Sequence, residues 1–224
     1  MTQKKPIIIF GDGPVAEAAH YYFTKDTDRT VAAFTLDGAY IKKPEVCGLP
    51  LVAFEDVVER FAPAGYDMFI ALGYNNINAL RKQKFLECKA LGYSFASYIS
   101  PRATVWPGPE HIGENCFIHD HNVIQPFSTI GDNVVMWTSN VVGHNCVIED
   151  HVFVTGHAVI AGYTRIGESS FIGLNATLRD NITIGKRNVI GAAAVILNDT
   201  QDEDVFAVPQ TPLFALKSSE LKKL

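Results

Sequence analysis

The chain has 224 residues, 47% of them hydrophobic, and a formal net charge of −5 from 19 Lys and Arg against 24 Asp and Glu. That is enough apolar sequence for two modest domains, and an acidic balance without a Lys/Arg run argues against a nucleic-acid or anionic-membrane surface. The opening MTQKKPIIIFGDG has an apolar run too short for a signal peptide or a membrane span, and Cys47, Cys88, Cys116 and Cys146 form no CxxC pair. These features predict core thiols in a reducing, cytoplasmic compartment.

Up to about residue 100, short apolar runs alternate with helical patterns. Ile7 to Phe10 reads as a strand, GDG as a turn and Pro14 as the opening of a helix. Thr30 to Asp37 reads as a second strand, Val52 to Phe61 as a helix and Asp67 to Leu72 as a third strand. A loop then feeds a helix that ends at Gly92, and Ser94 to Ile99 reads as a fourth strand. Strands alternating with helices predict a small parallel sheet, half a Rossmann-like unit over 1–100. Its carboxyl edge collects Gly11, Asp12 and Gly13, then Asp37, then Gly73, Tyr74 and Asn75. Backbone N–H groups at the first turn suit a phosphate and Asp37 suits a ribose hydroxyl, while the short length favours a nucleotide portion over a whole dinucleotide.

From Ile112 to Ile196 a bulky aliphatic residue or Met returns at every sixth position. A helix repeats near 3.6 residues and a half-buried strand near 2, so a strict six implies one short strand plus one corner, repeated along a solenoid. Glycine follows the aliphatic residue at 113, 131, 143, 167, 173, 185 and 191, predicting corners where glycine takes a positive φ. Small residues such as Cys116, Ser128, Cys146, Ala158 and Ala176 precede it by two and share the inward side. Three such segments close one coil, so positions eighteen apart stack at roughly 4.8 Å. On this register His111, His119, His121, His144, His151 and His157 all avoid the inward phases, and none is expected in the core.

A Rossmann-like unit followed by hexapeptide repeats, with FIALGYNN at 69–76 and TSNVVGHNCVIED at 138–150, resembles the nucleotide-sugar acyltransferases of the PglD and NeuD type. The resemblance implies an α/β N-terminal domain (1–100), an all-β left-handed parallel β-helix (101–204) and a C-terminal cap (205–224), with Leu213 to Leu224 as a short helix. It further implies that the first domain holds a nucleotide-linked amino sugar, that acetyl-CoA is the acyl donor, and that a homotrimer places active sites between adjacent β-helices. His144 matches the family's catalytic histidine, and Gly162, eighteen residues on, matches the glycine whose amide meets the thioester carbonyl. Asn145 stands where relatives usually carry Asp or Glu, with Glu149 and Asp150 as nearby substitutes. Phe153 aligns with a second family histidine, and Trp137 with an asparagine. With His157 they are the candidate acceptor pocket. Lys186 and Arg187 are candidates for CoA, and Lys217 for the basic residue of the family's terminal loop.

The chemistry can be read from the residues as well. Acyl transfer from a thioester needs an uncharged nucleophile, a group to take its proton and donors for the oxyanion. A neutral imidazole at His144 suits the second task. N-acylation of an amino deoxysugar is the leading expectation and O-acetylation of a sialic-acid-like sugar the alternative. A zinc enzyme of the γ-carbonic-anhydrase type is more remote, because Gly162 occupies the place of its third ligand, and no metal is expected.

Overall fold

The computed structural model describes residues 4–220. The N-terminal unit is a six-stranded sheet in the order β3-β4-β2-β1-β5-β6. Its strands are β1 (Ile7–Phe10), β2 (Val31–Leu36), β3 (Glu45–Val46), β4 (Leu49–Ala53), β5 (Asp67–Ile70) and β6 (Ser94–Phe95). All neighbours pair parallel except β3 with β4, and helices α1 (Pro14–Asp26), α2 (Val57–Arg60) and α3 (Ala79–Ala90) provide crossovers. Strand alternation sorts β1 between two layers. Ile7 and Ile9 meet Ala16, Ala19 and Phe23 of α1, whereas Ile8 and Phe10 join Val57, Phe85 and Cys88 on the other side.

The remainder is a parallel β-helix of three faces. The first runs from Thr104–Val105 to Val195–Ile196, and the second from Thr129–Ile130 to Thr183–Ile184. The third starts at β7 (Tyr98–Ile99) and ends at Val205–Phe206. Registers such as Val123↔Val141↔Val159 and Val135↔Phe153↔Phe171 step by eighteen, as the repeat predicts. Ile118, Ile124, Met136, Val142, Ile148 and their successors fill the prism together with Cys116, Cys146, Ala158 and Ala176. Small against large lets the faces close around one narrow core.

Several expectations are corrected. The Ser94–Ile99 strand is two, because β6 pairs with β5 in the first sheet while β7 already pairs with Phe117–Ile118 of the β-helix. Leu49–Ala53 is a strand where a helix was expected to begin at Val52, and only Val57–Arg60 is α-helical. Over 213–220 the only regular element is a 3₁₀ turn at Ser218–Glu220. Leu213 and Phe214 are exposed, and 221–224 lie outside the described residues.

The glycine corners also work differently. Left-handed φ falls two residues after the glycine phase, on Asn115, His121, Phe127, Asn133, Ser139, Asn145, His151, His157, Tyr163 and their successors to Ala193. The glycines are needed because the next coil passes too close for a Cβ, which at Gly143 would lie 2.5 Å from the Gly162 nitrogen.

The N-terminal unit covers the third face. Phe117, Val135 and Phe153 are buried beneath Phe69, Phe23 and Tyr98. Being outward on the solenoid therefore means being inside the molecule, and two of the histidines expected at the surface are buried. His119 lies among Phe117, Tyr22 and Trp137, and His151 lies against Phe85. Burial pushes both imidazoles down to about 4, with Arg81 and Lys82 adding to the effect at His151. Arg81 of α3 ties the two parts together by donating to the carbonyls of Asn133 and His151 and to Asn78 Oδ1, the latter two at 2.7 and 2.9 Å. Its burial pulls the guanidinium down to about 9.

Candidate active site

His144 stands on the corner between the first and second faces, exposed, with Gly143 behind it. Its backbone N–H donates to Gln125 Oε1 at 3.0 Å and its carbonyl accepts the Tyr163 N–H at 2.9 Å, so the coils on either side hold it. The ring nitrogen Nδ1 is 3.0 Å from Asn145 Oδ1. An amide oxygen only accepts, so this contact selects the Nδ1–H tautomer and leaves the Nε2 lone pair free. Nε2 faces Gly162, where a Cβ would come within 3.0 Å of it.

At the same corner phase the N–H of Glu114 is capped by Asp132, that of Asp132 by Asp150, and that of Glu168 by Glu149. Among the described residues the Gly162 N–H has no acceptor. A free donor beside a free imidazole lone pair provides two of the three elements that acyl transfer needs. Glu149 and Asp150 do not replace the missing carboxylate partner of His144, for Glu149 is engaged by Arg165 and the Glu168 N–H, and Asp150 by the Asp132 N–H.

The other predicted residues lie elsewhere on the prism. Trp137 and His157 are on the corner between the third and first faces, where they line a recess of about 330 Å³ with Thr155 and Leu174. Trp137 is half-buried, its ring tilted against that of His119 with centroids 4.4 Å apart. Phe153 is 1% exposed and cannot line an open pocket. It belongs to the interface beneath the N-terminal unit. Lys186 and Arg187 are on the third corner, in a cleft of about 410 Å³ against Ala79, Lys82 and Leu86 of α3, and Arg187 pairs with Glu203 at 3.0 Å. One chain therefore spreads base, acceptor and CoA candidates over three corners.

The loops of the first sheet do converge. Gly11, at φ +126°, passes so close to β5 that a Cβ would lie 2.9 Å from the Ala71 carbonyl, while Gly13 leaves open space at the start of α1. Asp12 accepts from Lys43 Nζ through its carbonyl at 3.2 Å. Asp37 Oδ1 is held at 2.6 Å by Lys84. Burial alone would lower that ammonium, but its bonds to Asp37 and Glu87 outweigh burial and raise it. Gly73, Tyr74 and Asn75 follow β5, and the Tyr74 ring rests on Phe171 and Phe153 at 4.7 and 5.0 Å. Tyr74 thus joins this sheet edge to the third face. Sequence reasoning missed Arg81, Lys84 and Tyr163. Only Tyr163 carried a usable signal, standing eighteen residues after Asn145.

No family model and no curated protein matches the chain. Solved structures do. A histidine-to-asparagine variant of perosamine N-acetyltransferase from Caulobacter crescentus, in complex with CoA and GDP-perosamine, is 25% identical with a TM-score of 0.80 over 91% of this chain and 93% of its own. The acetyltransferase domain of PglB from Neisseria gonorrhoeae FA1090 is 28% identical with a TM-score of 0.79 over 94% of this chain and 100% of its own. The chain groups with the sugar acetyltransferases. Its α/β unit followed by a left-handed parallel β-helix is their architecture. WeeI from Acinetobacter baumannii AYE shares the fold at 19% identity, with a TM-score of 0.75 over 90% of this chain and 96% of its own. Among the described residues no three His, Cys, Asp or Glu side chains group as metal ligands, and no helix is long and apolar enough to cross a membrane.

Proposed function

We propose that the chain is an acetyl-CoA-dependent N-acyltransferase for the amino group of a nucleotide-linked amino deoxysugar, of the PglD and NeuD type and acting in the cytoplasm. The observation that carries this reading is the juxtaposition of His144 Nε2 with the uncapped Gly162 amide, in a fold shared with an enzyme that holds CoA and GDP-perosamine. The acceptor amine attacks the thioester carbonyl while His144 Nε2 takes its proton, and the Gly162 N–H donates to the oxyanion. Collapse breaks the C–S bond and leaves a C–N amide, and the imidazolium returns the proton to the CoA thiolate. No acyl-enzyme is needed.

In this reading residues 1–100 hold the nucleotide through the loops at Gly11–Gly13, Asp37 and Gly73–Asn75. Residues 101–204 hold the donor, and 205–224 follow as a C-terminal segment. A homotrimer supplies what one chain lacks, a neighbour's Trp137 and His157 corner beside His144, with Lys186 and Arg187 left for CoA phosphates. Exposed Val141, Val159 and Val195 on the first face support it as apolar surface to cover. A mass of three chains by analytical ultracentrifugation is the expected result, and a monomer at micromolar concentration would remove the shared site. The reaction itself is tested with acetyl-CoA and GDP-, UDP- and dTDP-linked amino sugars. A hydroxylamine-stable acetamide is expected, whereas a hydroxylamine-labile ester on a sugar hydroxyl would replace N- by O-acylation.

A further inference from the structure

A corner in left-handed φ suits Asn, Asp or Gly and penalises a bulky ring. Of the fourteen left-handed corners from 115 to 193, five (115, 133, 145, 175 and 181) are Asn, and His121, His151 and His157 place imidazole rings at others. On the His144 corner, positions 127, 145, 163 and 181 stack by eighteen, and Phe127 and Tyr163 occupy left-handed sites at φ 65° and 60°. Tyr163 is 59% exposed, so core packing does not explain it. It is the residue after Gly162, its N–H is bound to the His144 carbonyl at 2.9 Å, and its ring stands perpendicular to the imidazole with centroids 5.0 Å apart.

Taking His144 as the base proposed above, we infer that Tyr163 is its positioning residue. Asn145 selects the tautomer only while the ring stays within reach of this single hydrogen bond, and its amide gives little support to the imidazolium formed in the reaction. The perpendicular aromatic ring supplies both restraint and support, as a wall beside the imidazole and as a π-system beside the developing charge. An Asn–Tyr pair on adjacent coils thus does the work of a single carboxylate.

The test compares wild type with Tyr163→Phe, Tyr163→Asn and the double variant Tyr163→Asn/Asn145→Asp. Asn is the residue this fold already uses at its corners, so Tyr163→Asn keeps or raises the melting temperature while removing the ring. Imidazole ¹⁵N shifts of His144 report the tautomer without any substrate, and steady-state kinetics report the rest. Tyr163→Phe is expected to match wild type in both. Tyr163→Asn is expected to mix the tautomers and lower kcat about tenfold with KM for acetyl-CoA within about twofold, and Asp at 145 restores both. An unchanged tautomer in Tyr163→Asn overturns the inference, as does a raised KM at constant kcat, which would make Tyr163 a donor-binding wall. Loss of assembly mass in Tyr163→Asn would make it an interface residue and overturns it equally. A wild-type protein silent on every amino sugar would sink the function proposed above while leaving the tautomer to judge Tyr163.

Discussion

The bond from His144 Nδ1–H to Asn145 Oδ1 is the smallest feature on which the proposed chemistry turns. It determines which nitrogen can accept a proton, and it does so without a negative charge. Asn145→Ala should therefore lower kcat about tenfold by releasing the tautomer, and Asn145→Asp should raise it severalfold by stabilising the imidazolium. Both are checked by kcat at saturating donor. That His144 and Gly162 lie side by side was legible from the sequence because the eighteen-residue step stacks them. The partner of His144 was legible only as a departure from Asp or Glu, and the proposed substitutes, Glu149 and Asp150, turn out to be committed to neighbouring groups.

At the scale of one corner, two glycines make opposite demands. A methyl on Gly143 would meet backbone, 2.5 Å from the Gly162 nitrogen, so Gly143→Ala must push adjacent coils apart and should cost about 3 kcal/mol or more, seen as a large drop in melting temperature. A methyl on Gly162 would meet the His144 ring at 3.0 Å and the His144 carbonyl oxygen at 3.3 Å, so Gly162→Ala should lower melting far less than Gly143→Ala and abolish most activity by displacing Nε2. The repeat announced the strands of the β-helix from Phe117–Ile118 to Val195–Ile196, but not Tyr98–Ile99, Thr104–Val105 or Val205–Phe206 outside it. It misled about why glycine is there, since steric approach between coils cannot be read from one coil alone. The crossing at Ser94–Ile99 was hidden because SFASYI reads as one short strand although it serves two sheets in succession.

At the scale of the molecule, the junction between the two parts was invisible in the sequence because it depends on which solenoid face is covered. Arg81 read as an ordinary helix residue, yet it is fully buried and bonded to the Asn133 and His151 carbonyls. Arg81→Ala should destabilise by about 3 kcal/mol, measured by denaturant unfolding, because those carbonyls lose their donor in a dry interface. The same junction predicts acid sensitivity. His119 and His151 are held to about 4 in the folded chain against 6.5 when unfolded, so the unfolded state binds more protons between those values. Their contribution is present above pH 6.5 and is lost as pH falls from 6.5 toward 4, by about 3 kcal/mol each. Unfolding midpoints across that window should drop in wild type and flatten in His119→Phe.

In the proposed reaction one exposed imidazole on a β-helix corner, His144, takes the proton of an amine attacking acetyl-CoA. The most direct measurement is CoA release with the best nucleotide-linked amino sugar, comparing wild type with His144→Ala. His144→Ala should lower kcat/KM about a thousandfold, with the fold and assembly intact. Turnover that survives His144→Ala within a few-fold would contradict it and send the search for the base to another corner of the prism.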